Sequence, residues 1–155
     1  MNIDLQALKT SFDLVAPRGG DLMTVFYARL FAVAPAVRPL FAATDLERQK
    51  TMLLDVLVLL RRSLDDLPGI APTLRRLGAR HVAYGARPEH YPIVGEVLIA
   101  SMAEIAGPAW RPEYERAWSA AFGIVAGAML EGARAVVQES RLSVRGEVPE
   151  PPAAT

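Results

Sequence analysis

The chain contains two histidines, and the residues around one of them are spaced to hold a metal or cofactor. Leu74, Leu77 and His81 fall at i, i+3 and i+7, so on a helix they share one face. Arg75, Arg76 and Arg80 take the opposite face and look to water. Gly85 and Pro88 stop the helix. An imidazole in an otherwise apolar stripe has two uses. It ligates a metal, or it is a core residue with one satisfied hydrogen bond. The other histidine, His90, follows Pro88-Glu89 at a helix start and reads as a surface or capping residue.

Composition narrows the chemistry. A chain of 155 residues supports one domain with a core. Hydrophobic residues make up 52% and charged residues 22%, which favours a compact globule over disorder. Lys plus Arg equals Asp plus Glu, 17 each, so there is no electrostatic case for nucleic acid or an anionic membrane. The absence of cysteine excludes disulfides, thiol catalysis and zinc–thiolate sites. The N-terminus lacks a basic start and apolar run, and the stretch Met52 to Leu60 is interrupted by Asp55 and too short to span a bilayer. These features are those of a soluble cytoplasmic protein.

The elements that would carry His81 all read as helices, because the apolar period is about 3.6 almost throughout. Asp4 caps a first helix through Val15, and Pro17-Arg18-Gly19-Gly20 breaks it. A second runs from Asp21 to Val33 with Leu22, Val25, Phe26, Leu30 and Phe31 on its apolar face. Pro35 and Pro39 limit the next segment, ending at Phe41, to a short turn. Thr44-Asp45 opens a helix to Leu64 whose wide apolar face predicts burial on several sides. Further helices are predicted over about 70–84, 89–105 and 111–139. The expectation is an all-α domain of six to eight helices over residues 1–140, with a disordered proline-rich tail over 141–155.

Four stretches make the chain resemble the bacterial single-domain globins and the globin module of flavohaemoglobins. They are Phe26-Tyr27-Ala28-Arg29-Leu30-Phe31, Pro35-Ala36-Val37-Arg38-Pro39-Leu40-Phe41, Gln49-Lys50-Thr51-Met52-Leu53, and His81 with the following Tyr91-Pro92-Ile93-Val94-Gly95-Glu96. The separations Tyr27 to Phe41 (41 − 27 = 14) and Gln49 to His81 (81 − 49 = 32) also match that family. The resemblance implies a globin fold, a three-over-three helical sandwich around haem b. It implies His81 as the iron ligand, with its other ring nitrogen donating to the Leu77 carbonyl. Phe41, Leu53, Leu77, Tyr91 and Val94 would contact the cofactor. Tyr27 and Gln49 would donate hydrogen bonds to bound O2, which takes negative charge from ferrous iron. CO and NO are the other expected gas ligands. Taken apart from the resemblance, Tyr27 is also readable as a core aromatic, Gln49 as an exposed first-turn residue and Phe41 as plain core.

Two departures qualify the resemblance. Flavohaemoglobins pair a proximal tyrosine with a glutamate. Tyr91 matches the first, but Ala133 stands where the glutamate belongs, and Glu131 is two residues away, about 200° around a helix. Flavohaemoglobins also continue into flavin and nicotinamide domains, and nothing in this chain looks like a dinucleotide loop. NO dioxygenation, the enzymatic reading, would therefore draw electrons from a separate reductase. With no histidine opposite His81, bis-histidine iron is excluded, while a sixth ligand from Tyr27 or Gln49 in the ferric state stays open. The alternative from another class is a haem-based gas sensor or a globin-fold interaction module, with Arg75, Arg76 and Arg80 as a docking face or simply a solvated one. The protein is read as a monomer or homodimer.

Overall fold

The computed structural model describes residues 4–146. Six α-helices account for most of them: α1 (Leu5–Val15), α2 (Gly19–Val33), α3 (Leu46–Arg62), α4 (Leu67–Ala83), α5 (His90–Ala106) and α6 (Pro112–Gly146). No strand occurs among the described residues. The helices form two layers, α1, α3 and α4 over α2, α5 and α6. The layers meet where α1 packs on α5 and α6, α3 on α2, and α4 on α6. Phe26, Leu8, Leu22, Leu30 and Met102 are enclosed between them, each contributing roughly 1.5–3 kcal/mol by leaving water. The one buried tryptophan–hydroxyl contact ties the layers at a polar point. Ser11 donates to the Ala7 carbonyl at 2.6 Å and accepts from Trp118 Nε1 at 2.7 Å, so neither buried group is left unpaired.

Three aspartates start the helices. Asp4 accepts from the Ala7 N–H at 2.9 Å, and Asp45 from those of Glu47 and Arg48. Asp66 accepts from Gly69 at 3.3 Å. Each satisfies donors that a helix start leaves open. The Asp66 cap starts α4 at Leu67, ahead of the Ile70 expected from the apolar pattern, because Pro68 in the first turn needs no N–H partner. Pro72 lies inside the same helix and forgoes the bond its N–H would make one turn earlier.

The connections also depart from the sequence reading. Pro17 to Gly20 is not a gap. A 3-10 turn over Ala16–Arg18 leads straight into α2 at Gly19, where a side chain would press on Leu54 at 2.9 Å. The segment Pro35–Phe41 is 3-10 helix along its full length. In α3 only Leu57 and Leu60 are buried, and Met52 is 48% exposed, so this helix is not enclosed on several sides. Its neighbour α4 follows it through the short turn Leu64–Asp66 and is not closely packed along it. By length and composition His90–Ala109 and Pro112–Leu142 are also long and apolar enough to cross a membrane; here α5 and α6 pack on one another and on α1. The last helix runs to Gly146, past the Glu139 expected and past residue 140, where the tail was expected to begin. The rest of the proline-rich tail, residues 147–155, lies outside the described residues.

Candidate functional site

His81 sits on α4 with Leu74 and Leu77, as its spacing predicts. Leu74 is buried, and Leu77 and His81 are half-buried. Arg75, Arg76 and Arg80 are exposed on the other side. The His81 Nδ1 lies 2.7 Å from the Leu77 carbonyl oxygen. A carbonyl only accepts, so Nδ1 carries a proton, and the tautomer this selects has its lone pair on Nε2. The Tyr84 ring meets the imidazole edge-on, with centroids 5.7 Å apart. The helix then closes on the carbonyl of His81 itself. Ala86 donates to it at 3.0 Å, and Gly85 donates to the Val82 carbonyl at 3.1 Å. That pairing needs a left-handed residue, and Gly85 supplies it at φ +87°.

The position of α4 is set by close approach to α6. A Cβ on Gly78 would lie 1.8 Å from the Met129 carbonyl oxygen, and one on Gly132 would lie 1.8 Å from that of Arg75. The two helices therefore cross backbone to backbone, and no other residue type fits at either point. Neither glycine has a periodic signal, so the sequence reading passed over both. Tyr84 was not singled out either, although it lies one helical turn from His81, and Phe31 was read only as part of an apolar face.

On α2, Tyr27 is 3% exposed. Its ring is boxed by Phe26, Phe31 and Phe41, with centroids at 4.9, 6.0 and 5.8 Å. Burial raises the Tyr27 hydroxyl above the usual tyrosine pKa, and the Gln49 amide beside it works weakly in the other direction. The hydroxyl is therefore a neutral donor at physiological pH. Gln49 is half-buried while Glu47 and Arg48 are exposed, so of these three the amide is the one turned toward Tyr27. Phe41, Leu53 and Val94 are half-buried at the edge of the core. They stay only partly covered although fully apolar, as the walls of an open crevice would.

Behind α4, Tyr91 is buried and its hydroxyl is also raised by burial. It lines a cavity of about 450 Å³ together with Ala133 and Leu130. Glu131 is turned away and lies 3.5 Å from Arg75, so it supplies no carboxylate beside Tyr91. His90 accepts from the Arg87 N–H at 3.0 Å and closes the turn before α5, which is the capping role expected.

The globin family model matches residues 24–129. The chain belongs to the globin family. This globin is 29% identical to the flavohemoprotein of Bacillus subtilis over 131 residues, which are 83% of the chain and 33% of that protein. It is 32% identical to the flavohemoprotein of Chromobacterium violaceum over 126 residues, 79% of the chain and 31% of that protein. The chain thus spans about a third of the length of these curated relatives. Its fold is that of an engineered carbene transferase from Rhodothermus marinus, with a TM-score of 0.78, 24% identity, and 93% and 98% of the two chains covered. A bacterial globin from Campylobacter jejuni superposes with a TM-score of 0.76 at 23% identity, covering 86% and 96%.

Membership in this family implies haem and small gas ligands, and the residues present fit such a group. Among the described residues no three metal-binding side chains cluster, so they offer no cage for a bare ion. A single imidazole with one nitrogen already bonded suits a metal whose other positions are filled by a macrocycle.

Proposed function

We propose that this globin holds haem b through His81 and binds O2, CO and NO on the opposite side, where Tyr27 and Gln49 stabilise O2. The observation that carries the reading is the 2.7 Å bond from His81 Nδ1 to the Leu77 carbonyl, which leaves Nε2 as a free donor in an apolar stripe. Ferrous haem, when bound, supplies an open coordination position for a diatomic gas. Phe41, Leu53, Leu77 and Val94 would exclude water from the macrocycle. Tyr91 would support the proximal side from behind α4. The Tyr27 hydroxyl, kept protonated by burial, would donate to a ligand that gains negative charge, and the Gln49 amide would hold the hydroxyl or donate beside it.

The enzymatic form of this reading is NO dioxygenation, in which NO, O2 and one electron give nitrate. The electron would come from a reductase, as the likeness to flavohemoproteins suggests. The protein is proposed to work in the cytoplasm. Stopped-flow mixing of the reduced, oxygenated protein with NO tests this. Stoichiometric nitrate within the mixing experiment supports dioxygenation, whereas nitrate no faster than in buffer with free O2 leaves reversible gas binding as the function.

A further inference from the structure

The cavity beside Tyr91 and Ala133 does not close. It adjoins a second space of about 680 Å³ between the end of α4 and the last turns of α6. Val82, Val137, Gln138 and Arg141 border both, so the two form one groove. Volumes of this size are those of small-molecule sites. The walls are mostly apolar, and the apolar surface continues outward. Leu142 is 65% exposed and Val137 is 40% exposed, so apolar surface reaches the outside of α6 here.

The charged groups of the groove are both cationic, beside the neutral Tyr91, Gln138 and Ser140. Arg134 and Arg141 border it, and neither forms an ion pair among the described residues. Among the described residues no carboxylate lines either part. The two acidic residues nearest in sequence do not enter the lining. Glu131 is engaged with Arg75, and Glu139 is exposed. The Tyr91 hydroxyl and the Gln138 amide add neutral donors. Two unpaired guanidinium groups over an apolar trough match one ligand class, with a carboxylate head for the arginines and a hydrocarbon tail for the trough.

We propose that the groove between α4 and α6 binds a fatty-acid carboxylate, its head between Arg134 and Arg141 and its chain along Val82, Leu130 and Val137. The proposal rests on the lining of this groove and not on the gas-binding reading.

The test is calorimetric titration of sodium dodecanoate, below its micelle concentration, into the full-length protein as purified. One binding site is expected. Dodecanol and dodecyltrimethylammonium should bind at least about 10-fold more weakly, because they lack the charge the arginines recognise. The pair R134Q and R141Q, both at exposed positions, should weaken dodecanoate by a similar factor. Ala133→Trp should abolish it by filling the deep end, with circular dichroism confirming that the variant folds. Reduction and saturation with CO should leave the titration unchanged. Equal binding of dodecanol, full affinity in the double arginine variant, or loss of binding under CO would each overturn the proposal. So would a dimer that dodecanoate dissociates, which would give the groove to a second copy. Nuclear Overhauser contacts from residues 147–155 to Val137 in the CO-bound protein would give it to the chain's own end, with the same consequence.

Discussion

Tyr27 on α2 and His81 on α4 are held by different forces. Tyr27 is fixed by side chains. Three phenylalanine rings surround it, and burial raises its hydroxyl above the usual tyrosine pKa. His81 is fixed by backbone. Its Nδ1 is tied to one carbonyl, its own carbonyl closes the helix, and α4 is pinned to α6 at Gly78 and Gly132. A ring box can relax when one member shrinks, since neighbours shift by fractions of an ångström. Two helices crossing at backbone contact have nothing to shift. The proximal flank should therefore be the brittle one and the distal flank the tunable one.

The largest effect should come from removing the donor itself. His81→Ala is expected to abolish stable haem uptake while the helices persist, read by comparing the Soret band with far-ultraviolet circular dichroism. Gly78→Val should come next, costing at least about 2 kcal/mol in denaturant unfolding, because its first carbon already overlaps the Met129 carbonyl. If Gly78→Val proves as stable as the parent, α4 is not held by that crossing and the contrast between the flanks fails.

On the distal side, Tyr27→Phe keeps the ring and loses only the hydroxyl. Stability should change by less than about 1 kcal/mol, while O2 dissociation should quicken by roughly 10- to 100-fold, the worth of one hydrogen bond to a charged acceptor. Little change in the off-rate would remove Tyr27 from the ligand site. Gly85→Ala is a smaller perturbation of the proximal flank. It places a side chain at φ +87° and 3.0 Å from Leu40, and should cost about 1–2 kcal/mol in thermal unfolding.

The smallest effect is on pH dependence. Tyr27 and Tyr91 both hold their protons more tightly when folded than when unfolded. Their contribution to stability is therefore full below the unfolded tyrosine pKa of about 10 and is lost as pH rises through the folded values. Urea midpoints should be level up to about pH 10 and fall above it. The double variant Y27F/Y91F should flatten that fall. An unchanged alkaline slope would mean that neither hydroxyl is held by burial.

The same contrast explains what could be read from the amino-acid order. Side-chain fixation leaves a record in residue type and period. Leu74, Leu77 and His81 announce their shared face, and Phe26, Tyr27 and Phe31 announce a packed stripe, so the all-helical fold and the faces these residues share were legible. Backbone fixation leaves almost none. Gly78 and Gly132 look like two ordinary glycines until the helices that cross there are placed. The start of α4 was set by the Asp66 cap and Pro68 rather than by the apolar pattern, which begins later. The partial exposure of α3 depends on how α4 lies beside it, which no local pattern encodes. Ala133 was visible as a departure, but the groove beside it depends on how far α6 runs, and the helix expected to end near Glu139 continues to Gly146.

The central claim is that His81 presents a free nitrogen to haem iron, and an optical spectrum tests it most directly. The purified protein and its His81→Ala variant would be recorded ferric, then reduced with dithionite, then exposed to O2 and to CO. The account predicts a Soret band in the parent that shifts with each gas, and no such band in the variant. A parent that takes up no haem even when supplied with it, or a variant whose spectrum matches the parent's, would contradict it.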